Sequence, residues 1–291
     1  MKRIIALIMA VLMMATLFVG CAKDQAKTED KAKDSAKKDS ATSDSATKTE
    51  PTLKELDKIK EAGVLKIGYT EYTPMNYKND EGKLVGFDTE YAELVCAELG
   101  VTPEFILIDW KLKEVDLESG KIDCIWNGFT ISDEREENLD FTAPYLNNKQ
   151  VAVCRKADAE KFADINNLKT AKLTAEKGSA GETVIVETEE FANATYVESN
   201  LQTAAITAVK AMRADACIVD YTVAKAMAGN GDFADLVMIT DYYLVDEYYG
   251  IGFRTGSDIT AEVNRITAEL VSNGTFEALA QKYNLQNNLI K

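Results

Sequence analysis

The sequence predicts an α/β fold in two lobes. Apolar strand-like runs alternate with amphipathic helical stretches, as in βαβ units on a mostly parallel sheet, and a second series of the same kind follows the first. Two extended segments, residues 146–153 and 241–250, are the candidates for strands crossing between the lobes, which makes the first lobe discontinuous in sequence. At 291 residues and 46% hydrophobic content, the chain has enough apolar material for a core of this size.

The elements follow in order. Thr52 and Glu55 stand at capping-box spacing, Leu53, Leu56 and Ile59 share one helical face, and Gly63 ends that helix. Residues 64–69 (VLKIGY) read as a buried strand. In the next helix Phe87, Tyr91, Leu94, Val95 and Leu99 form an apolar stripe that stops at Gly100. A strand at 104–109, a short helix at 111–120 and a strand at 122–128 complete the first series. The second series runs through a strand within 171–179, a helix opening at Ser179, a strand at 194–199, a long helix at 201–213 and a strand at 216–220. A strand at 248–254 and helices over 259–283 close the chain.

The first twenty residues read as an export signal, with Lys2 and Arg3 before an apolar run to Val19 and then Gly20-Cys21. Residues 21–50 contain no large apolar side chain, so they cannot bury enough surface to offset ordering and are expected to form a solvated tether. The net charge of −15 argues against an electrostatic hold on nucleic acid, which needs clustered Lys and Arg. With no histidine in the chain, zinc sites and histidine-based catalysis lack their usual parts, and no cofactor or metal is expected. Cys96, Cys124, Cys154 and Cys217 each sit in an apolar run and are expected as buried core thiols.

Several fragments, in this order and spacing, resemble the amino-acid-binding branch of the bacterial extracellular solute-binding proteins, the capture subunits of ABC importers. They are GVLKIGY, EGKLVGFDTEYAELVCAELG, Trp110 followed by LESGKIDCIWNGFTISDER, LDFTAPY, KGSAGE, DACIVD and GIGFRTGSD, and the resemblance covers Leu53 to Leu285. The resemblance implies a two-lobed periplasmic-binding-protein-like fold of type II, with residues 51–148 and 246–291 in lobe 1 and 149–245 in lobe 2. It also implies a monomeric, non-catalytic receptor that closes on a free amino acid and delivers it to permease subunits. LFVGC resembles a lipoprotein signal, with Phe18 where leucine is usual. Cleavage there would leave Cys21 lipidated and the protein anchored outside the cell membrane.

A zwitterionic ligand sets the site's specification. By the resemblance, Arg135 offers a fork to the ligand carboxylate, with the amides at Ser179 and Ala180 completing the cradle. Asp220 matches the carboxylate for the ligand ammonium, helped by Thr130 Oγ1 and the Gly128 carbonyl. Tyr72 and Trp110 match the aromatic positions of the side-chain pocket, to which Glu71, Asn127 and Phe129 are assigned. Each has a plainer reading: Arg135 as a surface partner of Asp133 or Glu136, Asp220 and Ser179 as helix caps, the aromatics as packing, Glu71 as an exposed loop acid. Competing functions are an enzyme on the same scaffold, a dehydratase or lyase of a small carboxylate, and a surface adhesin.

Overall fold

The computed structural model describes residues 54–290, so the signal, tether and Cys21 expectations lie outside the described residues. Helix α1 (Leu56–Ala62) starts by a route that the capping-box pattern does not anticipate. Thr52 is outside the described residues, and the Glu55 carboxylate accepts from Arg254 Nε at 2.5 Å. The opening amides of Glu55 and Leu56 donate instead to Asp258 Oδ1, at 2.8 and 2.9 Å, so the cap comes from two hundred residues downstream. Gly63, at φ 69°, ends the helix as expected.

The first series continues with β1 (Val64–Tyr69), a small hairpin of β2 (Tyr77–Lys78) and β3 (Leu84–Val85), α2 (Phe87–Leu99) and β4 (Thr102–Leu107). Phe87, Tyr91, Val95 and Leu99 are the buried stripe of α2, while Leu94 is only partly covered. A 3-10 turn at Trp110–Leu112 leads into α3 (Lys113–Glu118), then β5 (Cys124–Thr130), the single turn α4 (Asp133–Glu136), β6 (Leu139–Phe141) and β7 (Leu146–Arg155). All seven residues of β5 are buried, the signature of a strand with neighbours on both edges and cover on both faces.

The second series comprises α5 (Ala159–Phe162), α6 (Ile165–Leu168), β8 (Lys172–Glu176), α7 (Ala180–Glu187), β9 (Thr195–Ser199), α8 (Gln202–Lys210), β10 (Ala216–Asp220), α9 (Tyr221–Met227) and β11 (Leu236–Met238). The chain closes with β12 (Val245–Arg254), α10 (Ile259–Ser272) and α11 (Thr275–Lys282).

The main sheet runs β4-β1-β5-β12-β7-β10-β8-β9. Strands β4, β1 and β5 are parallel, as are β10, β8 and β9. The antiparallel pair β7/β12 joins the two blocks, and each strand serves both. Leu146–Gln150 of β7 face Tyr249–Val245 of β12, while Gln150–Cys154 face Asp220–Ala216 of β10. The far end of β12 turns to β5 and β6. Ten residues at about 3.3 Å each give about 33 Å, enough to span both blocks.

The second crossing strand begins at Val245 and not at Asp241. Tyr242 and Leu244 pack against the second core, and Tyr242 donates its hydroxyl to Phe162 O at 2.8 Å, so residues 241–244 lead into the strand from outside it. Cys96, Cys124, Cys154 and Cys217 are buried free thiols. Among the described residues no helix is long and apolar enough to cross a membrane.

Candidate functional site

The site assembles where the two parallel blocks present their C-terminal strand ends, the usual ligand position in open α/β sheets. Thr130 ends β5, Glu176 ends β8 and Asp220 ends β10. After Thr130 the chain extends through Ser132, whose Oγ accepts from Arg135 N at 3.4 Å and starts α4. This single turn carries the Arg135 guanidinium back over the Phe129 ring, 4.6 Å from its centroid. There Nη1 donates to Thr130 O at 2.6 Å and Nη2 to Gly178 O at 3.2 Å. Neither Asp133 nor Glu136 pairs with it, and Arg135 makes no ion pair among the described residues. Burial pulls its pKa below the usual arginine value, with Glu247 the strongest charge acting in the opposite direction. A desolvated guanidinium held only by carbonyls is under-compensated, and an anion would correct that.

Facing it, α7 opens on a capping box. Ser179 Oγ accepts from Glu182 N at 3.2 Å, and Glu182 returns to accept from Gly178 N at 2.7 Å and Lys177 Nζ at 2.6 Å. This leaves the Ala180 and Gly181 amides, which have no intrahelical acceptor, at the helix's positive end. Gly181 must be small: a Cβ there would meet Ile218 O at 2.6 Å and Gln150 Oε1 at 3.0 Å. Lys113 Nζ also donates to Gly178 O, at 3.1 Å, so two cations from the first series meet one carbonyl of the second. Burial, then the Arg135 charge, pulls the Lys113 ammonium down to about 8.

Asp220 is buried and starts α9 without capping it through its side chain. Its Oδ2 accepts from Tyr72 OH and Tyr249 OH, each at 2.8 Å, and from Gln202 Nε2 at 2.7 Å, while Oδ1 accepts from Gln150 Nε2. The same Gln150 nitrogen reaches Glu247 Oε1 at 2.9 Å, and Asn148 Nδ2 donates to that oxygen too. Burial, reinforced by Asp220, pushes the Glu247 carboxyl up to about 8. Three buried acceptors in this region have no donor: Gln150 Oε1, Glu247 Oε2 and Glu176 Oε1.

A cavity of about 440 Å³ opens here, lined by Thr130, Arg135, Gln150, Ala180 and Glu247 among others. Of the residues singled out in the sequence, Arg135, Thr130 and Ala180 meet in its wall, and Ser179 supports that wall as a cap. Tyr72, Gly128 and Asp220 form a neighbouring cluster. Gly128 adopts φ 55°, and a Cβ on it would stand 2.6 Å from the Tyr72 ring, so the glycine lets Tyr72 reach Asp220. Trp110 and Phe129 are buried edge to face, centroids 5.5 Å apart, with Lys113 Nζ 5.2 Å from the Trp110 ring.

Two assigned residues are occupied elsewhere. The Asn127 amide is tied to Thr70 and Asn76, with Nδ2 donating twice and Oδ1 accepting twice, which leaves it nothing for a ligand. Glu71 is exposed, 3.7 Å from Lys78, and lies outside the cavity wall. Sequence reasoning passed over Gln150, Glu247, Glu176 and Lys113. A signal existed for Gln150, the last of four consecutive polar residues in β7 and the one adjoining its apolar half. Lys113 carried none, since Lys111 two residues earlier looks the same and is exposed.

The family model of the bacterial extracellular solute-binding proteins, family 3, matches residues 65–286. The chain belongs to this family. Among its relatives is the L-cystine-binding protein TcyJ of Escherichia coli, 29% identical over 231 residues that cover 78% of this chain and 85% of TcyJ. Cyclohexadienyl dehydratase of Pseudomonas aeruginosa is 28% identical over 147 residues, half of this chain and 53% of its own length. A crystal structure of a mutant of ArgBP from T. maritima superposes with a TM-score of 0.72 at 29% identity, covering 78% of this chain and 98% of ArgBP. The two-lobed type II fold of the family is therefore the fold of this chain.

Proposed function

We propose that the protein is the extracytoplasmic receptor of an amino-acid ABC importer, which closes on a free amino acid and delivers it to the permease. The observation that carries this reading is Arg135, a half-buried guanidinium with no acid partner among the described residues that lines a cavity beside a helix N-terminus. In this reading Arg135 and the first amides of α7 hold the ligand carboxylate, and the acidic cluster around Gln150 holds the ammonium. Tyr72, Trp110 and Phe129 wall the side-chain end, and Gly128 and Thr130 give close backbone approach. The names of relatives support an amino acid as ligand, cystine for TcyJ and arginine for structural neighbours. Closure strengthens the buried charge pairs by excluding water. Micromolar binding or tighter, about −8 kcal/mol, suits a receptor that must also release.

Residues 51–148 with 246–291 form one lobe in this proposal and 149–245 the other, joined by β7 and β12. The receptor acts as a monomer and is held at the membrane by a lipid on Cys21, in keeping with the LFVGC motif. Mass spectrometry of ligand released from the denatured protein, followed by thermal-shift screening of amino acids, tests the reading. Release of an amino acid that also raises the melting temperature supports it. The absence of any amino-acid response from the folded protein contradicts it.

One observation favours a second reading, catalysis. Burial raises the Glu247 carboxyl to about 8, the direction a general acid requires, and a dehydratase is among the relatives. Loss of the bound ligand on prolonged incubation, with a product appearing, would favour the enzyme; unchanged ligand favours the receptor.

A further inference from the structure

We propose that Asp88, on α2, is a positioning residue for ligand binding: its buried carboxylate sets the left-handed turn of β5 at Gly128, and with it the ring of Tyr72, without touching the ligand. The inference rests on the amino-acid reading of the cleft, in which Gly128 gives close backbone approach. Strand β5 pairs with β12 at Phe129 and Thr130 and again at Ile125, with a register shift between. Gly128 falls in that irregular stretch, where a sheet amide is left without its ladder partner. Asp88 supplies the missing acceptor, for Gly128 N donates to its Oδ2 at 2.6 Å.

Three segments converge on this acid. The backbone N–H of Asp88 donates to Met75 O at 3.0 Å and that of Phe87 to Pro74 O at 2.9 Å, so the start of α2 holds the loop that carries Tyr72. Tyr145 OH, just ahead of β7, donates to both carboxylate oxygens, at 2.9 and 3.0 Å, and so fixes their orientation. The Gly128 turn is the third, and its α-carbon packs so closely on the Tyr72 ring that a shift of one displaces the other. Asp88 is fully buried and has no ion-pair partner among the described residues. A carboxylate is costly to bury in that state. An exposed acid would serve the positive end of α2 equally well, so the inward turn of Asp88 is explained by the amide it holds.

Calorimetric titration of the common L-amino acids and L-cystine into wild type, Asp88→Ala, Asp88→Asn and Tyr145→Phe tests this, each protein being held well below its melting temperature by circular dichroism. Asp88→Ala should bind the tightest wild-type ligand about 30-fold more weakly, the scale of a lost hydrogen bond to a charged group. Asp88→Asn keeps an oxygen for the Gly128 amide and should stay within about threefold of wild type. Tyr145→Phe keeps the acid but frees its orientation, and should lose about fivefold. Should Asp88→Ala not fold, the loss in Tyr145→Phe decides alone. An acid that served only the fold would leave the folded variants at wild-type affinity. That result, or an Asp88→Asn as weak as Asp88→Ala, would overturn the assignment and leave the receptor reading standing. A wild type that binds no amino acid would overturn both.

Discussion

Arg135, on the turn after β5, and Arg254, at the end of β12, are both inward-turned arginines, and they are furnished in opposite ways. Arg254 donates to Glu55 at 2.5 Å and to Asp123 at 3.4 Å, and Nη1 reaches the carbonyls of Leu117 at 2.6 Å and Ile122 at 2.9 Å. Two acids offset its charge, and it ties α1 to the end of α3 and to β12. Arg135 has two carbonyls and no acid. A guanidinium that stabilises a fold comes with its counter-charges, because an unpaired buried charge is costly. One kept for a ligand leaves that compensation to be supplied by the molecule it binds.

The contrast predicts opposite phenotypes. Arg254→Ala leaves Glu55 and Asp123 without their cation and should cost about 3 kcal/mol of stability in urea unfolding. Ligand affinity in the surviving folded protein should be unchanged, and a large affinity loss would mean that the two arginines are not separable. Gly128→Ala places a methyl group against the Tyr72 ring at a positive φ and should cost about 2 kcal/mol by the same measurement. An unaffected urea transition would show that the Tyr72–Asp220 contact does not depend on that glycine. Arg135→Lys keeps the charge but loses the planar fork, so affinity should fall by about 1.4 kcal/mol, or tenfold, with stability little changed.

Two buried acids, Glu247 in the cavity wall and Asp88 on α2, add a pH dependence. Burial raises Glu247 to about 8 and Asp88 to about 7, both above the unfolded range near 4. The native protein therefore binds more protons than the unfolded chain between about pH 4 and 8, so these groups lower stability as pH rises through that window. Glu247→Gln removes one of them. Its melting temperature should gain on wild type steadily from pH 5 to 8, and a constant difference would contradict the burial of that carboxyl. The smallest effect belongs to Glu71, whose exposed pairing with Lys78 is worth little: Glu71→Ala should stay within about 0.5 kcal/mol in stability.

The sequence made the helix ends legible wherever a local residue decides them. Gly63 and Gly100 end α1 and α2 in left-handed conformation, and Ser179 opens α7. Arg135 was singled out because it stands in a fragment, LESGKIDCIWNGFTISDER, that resembles a family pattern. What stayed hidden depends on partners chosen by tertiary pairing. The cap of α1 comes from Asp258, which no local window contains. Gln150 joins Asp220 to Glu247 only because β7 lies between β10 and β12, with Gln150 opposite Asp220 on one side and Val245 on the other. Neither register can be read from composition or period.

Calorimetry of Arg135→Ala against wild type, using the amino acid released from the wild-type protein, addresses the central claim most directly. A loss of about a thousandfold or more in affinity, with the melting temperature of the empty protein nearly unchanged, is the result expected of a guanidinium held for a ligand carboxylate. Wild-type affinity in the variant, or collapse of the fold with Arg135 gone, would place that arginine beside Arg254 as a structural one.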